Sequence, residues 1–521
     1  MKFKDYFKKN LIYILSFPLI VIAVYLPIVF NKSYCADLEY VQGAKGAIYN
    51  WKELGRYTLI LLKKISFTPY NWILEGILFI IVSYLTFNAL AYFMHLANSR
   101  LDTRLIFILS GIALIFPTFC EQYYFKFQAA EVLFGIFLLC LSGIFLMRTI
   151  NDGEKLPFVI SVVLTTLSFG IYQSMPNILL VMYIGLFLIL CCTIKEKRIL
   201  KKAFITVVIQ FVISFMANYL IAHFLCKQGS YFSDKIMWNK LGASTCISYL
   251  KHYFKVVLLA DSPMYSFAFI VALLLAYIAL FVFFSKDILR VILTVLSIFG
   301  LIIAPFGIAI IQGFEPDTRT QLALPFSIAF LLFFALSVLA RKTYKEADTE
   351  KNTEEGEKKD GKPIYIGIVF LALVLVLNVI PSLRLVYTRY KINQSDREHI
   401  QKIAEDLKEY NCSADSEDAL DVIIIGTLPF YGDSICVKSY LGTKEYILFS
   451  AFELDAHTPP AYFFSTNRIL SAMDTEGYYF KKPKVSNNME DAGNKAKDMP
   501  QYPEKGYIKQ YKHYVLVNLG R

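Results

Sequence analysis

The feature that most constrains this chain is the recurrence of apolar runs long enough to cross a lipid bilayer. Hydrophobic residues make up 56% of its 521 residues, and a spanning helix needs about 20 of them in succession. About eleven runs qualify as candidate spans, and they cover 11–30, 72–93, 105–119, 129–147, 157–172, 178–194, 203–225, 265–284, 291–312, 322–340 and 364–382. The runs predict a polytopic α-helical membrane protein and exclude a soluble protein with one anchor.

Loop charges predict the orientation of these spans. Four lysines precede the first span, and 195–202 carries five basic residues, which places both segments in the cytoplasm because basic loops stay inside. The loops 31–71 and 226–262, on the predicted outer side, depart from this bias. The formal charge of +11 is spread over separate short loops, which excludes a nucleic-acid partner. An odd number of crossings puts the C-terminus outside the cell.

The last third of the chain changes character. Mixed charges over 341–363 predict a disordered cytoplasmic linker, because they cannot build a core. Residues 383–521 alternate helical and strand patterns, with a capping box at Ser395–Glu398 and apolar strands at Val422–Ile425 and Val515–Leu519. We therefore expect a small extracytoplasmic α/β domain after the last span.

Ionisable residues near the spans collect at the predicted outer ends. Glu75 and Glu131 lie in the first turns of the second and fourth spans, and the middle of the bilayer is almost free of charge. A charge there would cost about 2.5–3.5 kcal/mol. Each acid either caps a helix start or belongs to a site at the outer interface.

The first outer loop, 31–71, carries the most informative residues. Asp37 and Glu39 follow the first span directly, and Trp51 and Arg56 lie in the amphipathic stretch after them. Such a segment has no structural need for two acids, although they could merely anchor a loop. An enzyme that acts on a lipid-bound substrate needs acids at this boundary.

Other outer segments contribute further polar candidates. Trp51 is either an interfacial anchor or a platform for a sugar ring, and Tyr172 is either a belt aromatic or part of a pocket. The candidate substrate-binding residues are Trp51, Arg56, Glu121, Gln122, Lys126, Tyr172, Gln173, Asp317 and Arg319.

Four of these stretches together, Asp37–Glu39, Trp51–Arg56, Pro117–Gln128 and Gly170–Ser174, resemble the GtrII-type glucosyltransferases. The resemblance implies a C-type glycosyltransferase architecture over 1–382, in the bacterial cytoplasmic membrane. It also implies transfer of a glucosyl or similar residue from a polyprenyl-phosphate donor to a cell-surface glycan on the outer face. The family tends to have adjacent acids followed by Arg, and an Asp where this chain has Gln128.

The chemistry of such a transfer needs residue types that these loops supply. Breaking a sugar–phosphate bond requires a carboxylate to take the proton of the acceptor hydroxyl, and Asp37 supported by Glu39 is the candidate. It also requires cations for the departing phosphate, for which Arg56, Lys126 and Arg319 are candidates. The residues leave open a divalent metal that bridges an acid and the phosphate.

Two rival functions fit a membrane protein of this composition. A transporter or flippase of a lipid-linked saccharide predicts paired repeats and broken helices with polar groups at the midplane, and the sequence shows neither. A non-catalytic scaffold of an envelope-polymer assembly complex predicts that changing Asp37 or Glu39 leaves the surface glycan unaltered.

Overall fold

The computed structural model describes most of the chain as helices with a small sheet at the C-terminal end. The residues it describes are 3–30, 34, 51–65, 72–194, 196–226, 234–283, 287–350, 362–430, 446–453, 459–484 and 488–520. Asp37 and Glu39 lie outside these residues.

The first eleven described helices come from the N-terminal part of the chain. They are α1 (Phe3–Lys9), α2 (Leu11–Ser16), α3 (Pro18–Phe30), α4 (Tyr57–Ile65), α5 (Trp72–Ala97), α6 (Thr103–Leu114), α7 (Pro117–Tyr124), α8 (Ala129–Asp152), α9 (Lys155–Phe169), α10 (Met175–Thr193) and α11 (Lys197–Leu225). Prolines begin α3 and α7, where a missing N–H costs no hydrogen bond. Gly153 ends α8 in the left-handed conformation, with φ 76°, as helix C-termini commonly require.

The remaining described elements include the sheet. They are α12 (Trp238–Leu241), α13 (Ala243–Leu258), α14 (Ala268–Val282), α15 (Ile288–Ile303), α16 (Gly307–Gln312), α17 (Leu324–Glu350), α18 (Lys362–Leu407), β1 (Asp421–Gly426), α19 (Pro459–Thr475), α20 (Met489–Ala496), β2 (Ile508–Gln510) and β3 (Tyr514–Gly520). Short 3-10 turns cover Lys126–Gln128, Thr318–Thr320 and Tyr446–Leu448.

Seven helical segments within the described ranges are long and apolar enough to cross a membrane, and α6 with α7 would make an eighth as one bent span. Three shorter apolar helices, Lys155–Phe169, Ala268–Val282 and Leu324–Leu339, lie at other predicted spans. The polytopic helical class is therefore confirmed. The count of about eleven crossings stays a prediction, because these three helices are shorter than a bilayer needs.

The helices divide into a buried set and a set that presents apolar side chains outward. Helix α8 packs against α5 and α9, and α17 packs against α10 and α14, so these helices form the core. By contrast, α11 exposes large apolar side chains, among them Phe204, Val212 and Phe215. Such a surface suits lipid, since soluble proteins rarely expose contiguous apolar patches of this kind.

A sharp bend separates α6 from α7. The two helices meet at 53°, and the C=O of Phe116 at the break accepts from the N–H of Phe119 at 3.0 Å. The Tyr25 hydroxyl accepts from the N–H of Phe116 at 2.8 Å and donates to its carbonyl oxygen at 3.0 Å. A side chain from α3 therefore satisfies the backbone that the bend exposes, as apolar surroundings demand.

The C-terminal region contains the predicted strands in a three-stranded sheet of order β1-β3-β2. β1 pairs with β3 in parallel, with Val422 opposite Val515, and β2 pairs with β3 antiparallel. The apolar runs at Val422–Ile425 and Val515–Leu519 are thus confirmed as strands. Both are buried on both faces, which explains their continuous hydrophobicity.

One predicted helix start in this region was wrong. The capping box at Ser395 does not begin a helix, because α18 continues through it from Lys362 to Leu407. Asp396 accepts from the backbone N–H of Ala451 instead. Helix α17 continues to Glu350, into the predicted linker 341–363, because that stretch is rich in the helix formers Ala, Glu and Lys; residues 351–361 lie outside the described ranges.

Candidate functional site

The candidate site is organised around Arg56, at the start of α4. Gly55 has φ 70°, a left-handed conformation that favours glycine, and the turn it makes lets the N–H of Arg56 donate to the Trp51 carbonyl at 2.9 Å. The first N–H groups of α4, from Thr58 and Leu59, donate to the carbonyl oxygen of Gly170. This contact joins the start of α4 to the end of α9.

Gly170 permits that junction because it has no side chain. A Cβ added there would lie 2.5 Å from the Thr58 hydroxyl and 2.5 Å from the Tyr57 ring, which is closer than packed atoms tolerate. The chain continues from Gly170 directly into Tyr172 and Gln173. The close approach therefore brings these two candidates to Arg56.

The Arg56 guanidinium is held in a defined orientation. It donates to the Gln128 side-chain oxygen and to the Gln173 side-chain oxygen, each at 2.6 Å, and lies 4.7 Å from the centre of the Tyr172 ring. Two amides and an aromatic face orient the cation. The structure thus brings Arg56, Tyr172 and Gln173 together, and adds Gln128.

A buried ionic cluster lies two helical turns further along α4. Lys63 pairs with Glu75 of α5 and, at 2.6 Å, with Glu131 of α8. Burial acts to lower the pKa of Lys63, but the charges of Glu131 and Glu75 outweigh it and raise that pKa above its usual value. The two acids therefore hold α4 to the bundle. Capping a helix start does not account for these ion pairs.

Glu121 and Gln122 of α7 are both fully buried but differ in their contacts. The Glu121 carboxylate accepts from the backbone N–H groups of Tyr446 at 2.8 Å and Ile447 at 2.9 Å, so it anchors a C-terminal segment. The Gln122 amide has no hydrogen-bond partner at either its oxygen or its nitrogen within the described part of the chain. A buried polar group in that state is costly, which suits a group that binds a ligand.

The loop before α17 brings in Asp317 and Arg319. Asp317 pairs with Lys235 at 2.6 Å and with Arg319 at 3.8 Å. The Arg319 carbonyl oxygen accepts from the Tyr172 hydroxyl at 3.4 Å, which links this loop to the Arg56 cluster. Asp317 is thus an ionic partner of Lys235 and, at a longer distance, of Arg319.

The other predicted residues take more varied positions. Lys126 is buried at the turn before α8, and Trp51 is buried in the main hydrophobic core, a position that favours packing over a sugar platform. Asp37 and Glu39 fall outside the described residues. No group of three or more His, Cys, Asp or Glu side chains in the described ranges could hold a metal ion.

A neutral polar network lies deeper, near the middle of the helices. The Tyr183 hydroxyl donates to the Gln210 side-chain oxygen, and the Gln210 nitrogen donates to Thr165, each at 2.8 Å. Ser142 also hydrogen-bonds Thr165 at 2.8 Å. These side chains carry no charge, and they bond one another, as side chains that join membrane helices do.

Comparison with known proteins decides the family. The family model described as Glucosyl transferase GtrII matches residues 26–336, which is more than half of the chain. This chain belongs to the GtrII family. The resemblance seen in the sequence is thereby confirmed, and GtrII membership supports a glucosyltransferase role. No curated protein matches the chain.

The GtrII match includes the Arg56 cluster and Arg319 and stops at residue 336, before α18 and the sheet. Sequence reasoning missed three contributors, Lys63, Gln128 and Tyr446. Lys63 had a usable signal, since a lysine seven residues after Arg56 lies on the same helix face. No local sequence signal indicated Tyr446, because it reaches the site only through the tertiary fold.

Proposed function

We propose that this chain transfers a glucosyl residue from a polyprenyl-phosphate donor to a cell-surface glycan. The reaction takes place on the outer face of the bacterial cytoplasmic membrane. GtrII membership and the apolar helices support the reaction class and the membrane setting. The donor, the acceptor and the membrane face are the proposal.

The observation that carries this proposal is the way Arg56 is held. Its guanidinium is held by the Gln128 and Gln173 amides and the Tyr172 ring, which fix the orientation in which it would meet an anionic ligand. The Arg319 carbonyl oxygen accepts from the hydroxyl of the same Tyr172, and Lys126 is the third candidate cation. The departing polyprenyl phosphate carries the negative charge that such cations stabilise.

We assign the proton acceptor to Asp37, with Glu39 as its support. The Tyr124 hydroxyl donates to the carbonyl oxygen of Tyr34 at 3.1 Å, and Gln128, one turn later, binds Arg56. Both flanks of the acidic segment therefore attach to Tyr124–Gln128. Asp37 is three residues from Tyr34, which limits their Cα atoms to about 11 Å apart.

These groups account for the proton, the new bond and the leaving group of the proposed transfer. Asp37 takes the proton of an acceptor hydroxyl, whose oxygen forms a bond to the anomeric carbon as the bond from that carbon to the phosphate oxygen breaks. The phosphate leaves with the electron pair beside Arg56 and the other cations. We assign the Gln122 and Gln173 amides to the sugar hydroxyls.

The test is transfer of radiolabelled glucose from polyprenyl-phosphate glucose by full-length protein in lipid nanodiscs. Asp37→Asn should lower kcat about 10²–10⁴-fold, the range for loss of a general base. Arg56→Lys should lower kcat/KM about tenfold, because lysine cannot make both amide contacts. Arg104→Lys is the matched control, since Arg104 pairs with Asp102 at 2.9 Å near a different helix end.

Two results would contradict the proposal. Full activity in both Asp37→Asn and Glu39→Gln would remove the assigned base. Absence of transfer by the wild type, together with lipid-linked saccharide moved between leaflets of a vesicle, would favour the flippase.

The predicted orientation has its own test in intact cells. Cys35 precedes the acidic pair, and an impermeant thiol reagent should label it in a Cys436→Ser background. The seven cysteines in the described ranges are free but buried, so they should react poorly. Protection of Cys35 until the cells are opened would place the acids in the cytoplasm and overturn the outer-face assignment.

A further inference from the structure

A segment of the C-terminal region enters the candidate site. Its first residues form the short turn Tyr446–Leu448, whose leading N–H groups have no partner within the turn. Glu121 of α7 accepts from two of them, those of Tyr446 and Ile447. A fully buried carboxylate from the transmembrane region therefore holds the start of this segment.

Two charged residues of α18 hold the rest of the segment. The Arg389 guanidinium donates to the Phe449 carbonyl oxygen at 2.6 Å and lies 3.3 Å from the Asp396 carboxylate. Asp396 accepts from the Ser450 hydroxyl at 2.5 Å and from the Ala451 N–H at 3.0 Å. Hydrogen bonds to charged groups are about twice as strong as neutral ones. The backbone of 446–451 is thus fixed from two sides.

This anchoring brings the Tyr446 ring against Arg319. The Arg319 guanidinium carbon lies 4.1 Å from the centre of the Phe125 ring and 5.3 Å from that of Tyr446. The two rings meet edge to face, with centres 5.6 Å apart. A planar cation resting on two aromatic rings loses much of its freedom to change rotamer.

The two rings come from different parts of the chain. Phe125 lies inside the GtrII match, whereas Tyr446 lies more than a hundred residues beyond its end at 336. Arg319 also connects to the Arg56 cluster through Tyr172. The orientation of a site cation therefore depends on a residue outside the family's matched region.

We propose that Tyr446 is a positioning residue of the transfer site, which holds the Arg319 guanidinium for the phosphate of the polyprenyl donor. Glu121 in turn positions Tyr446. This inference rests on the proposed function. It makes the C-terminal region a part of the phosphate-binding site.

The experiment measures equilibrium binding of polyprenyl monophosphate to full-length protein in nanodiscs, for a double-mutant cycle of Tyr446→Ala and Arg319→Ala. Each single change should weaken binding about tenfold, which lies within the range of a partly desolvated cation–π contact. The double variant should also lose about tenfold, because the two residues act through one contact. Independent residues would together lose about a hundredfold.

Three further variants separate positioning from folding. Tyr446→Phe restores the ring and should recover the affinity that Tyr446→Ala loses. Tyr446→Leu keeps apolar bulk without an aromatic face and should bind as weakly as the alanine variant. Tyr478→Ala is the matched control, because it removes another ring of the C-terminal region that faces a cation, Lys408, at 5.0 Å.

A hundredfold loss in the double variant would overturn the inference, as would normal binding by both Tyr446→Ala and Tyr446→Leu. In either case wild-type binding and glucosyl transfer would leave the proposed function standing. A wild-type protein that neither binds polyprenyl phosphate nor transfers glucose would overturn both.

Discussion

Buried charges in this protein are used in two different ways. Lys63 is neutralised by two carboxylates and joins α4 to α5 and α8. Arg56, two turns away on the same helix, contacts neutral amides. An ion pair thus fixes the position of Lys63, whereas two amide oxygens fix the orientation of the Arg56 guanidinium.

Lys63→Met should be among the most destabilising single changes in the described part of the chain. It leaves Glu75 and Glu131 buried without their cation, and breaking a buried ion pair from one side costs about 3–5 kcal/mol. The thermal midpoint of the protein in detergent should fall accordingly. Adding Glu75→Gln and Glu131→Gln should restore most of the lost thermal midpoint, because no buried charge is then left unpaired. If the triple variant does not recover, the loss of stability in Lys63→Met has another cause.

Gln122→Leu should have opposite effects on stability and activity. Removing a buried amide whose two polar atoms have no partner among the described residues should stabilise the protein by about 1–3 kcal/mol, while glucosyl transfer falls. Thermal unfolding in detergent and the transfer assay measure the two effects. Gln210→Leu is the matched control, since that amide is fully bonded and its loss should destabilise; a stable, fully active Gln122→Leu would remove Gln122 from the site.

At the scale of elements, the site depends on breaks in the helices rather than on the helices themselves. The bend between α6 and α7, the turn Lys126–Gln128 and the close approach at Gly170 each end a helix near the same place. Each break leaves backbone N–H or C=O groups that need hydrogen-bond partners outside the helix. Side chains such as Tyr25 supply them.

Tyr25→Phe tests how the bend is maintained. The change removes the hydroxyl that accepts from the Phe116 N–H, whereas the Phe116 C=O keeps its bond from the Phe119 N–H, so it should destabilise the protein by about 1–3 kcal/mol. The measurement is the thermal midpoint in detergent. Tyr219→Phe alters an exposed tyrosine and should have no effect; equal midpoints for the two variants would mean that the bend does not need Tyr25.

At the scale of the whole molecule, helix α18 connects the transmembrane region to the C-terminal sheet. It packs against α3, α6 and α7 along one part, and against α19 and the Tyr446 turn along another. Since it remains one helix throughout, the two regions are joined by packing as well as by covalent connection.

This packing predicts that the chain tolerates a cut between α17 and α18. A protease site inserted within 351–361 and cleaved in purified protein should give two fragments that elute together and retain at least half of the transfer activity, because α18 keeps its contacts with α3, α6 and α7. Uncleaved protein with the same insertion is the control. Separation of the fragments on gel filtration would show that the covalent link is required.

Much of the architecture could be predicted from local sequence. Apolar run length identified the helices, and the continuous apolar runs at Val422–Ile425 and Val515–Leu519 identified strands that are buried on both faces. Boundaries were less predictable: the signal at Ser395 is a helix start by composition, yet contacts of Asp396 with Ser450 and Ala451 let α18 continue through it. Local propensity is a weak force that such tertiary contacts outweigh.

The sequence by itself determined that this is a polytopic helical protein with a C-terminal sheet, because hydrophobicity and its period act over a few neighbouring residues. It also identified Arg56, Tyr172, Gln173 and Arg319 as site candidates. Only the tertiary structure decided that Lys63 pairs with Glu75 and Glu131, that Glu121 anchors a distant segment, and that Tyr446 contacts Arg319. Those pairings join residues far apart in the chain, and an ionic or aromatic contact depends on distance in space.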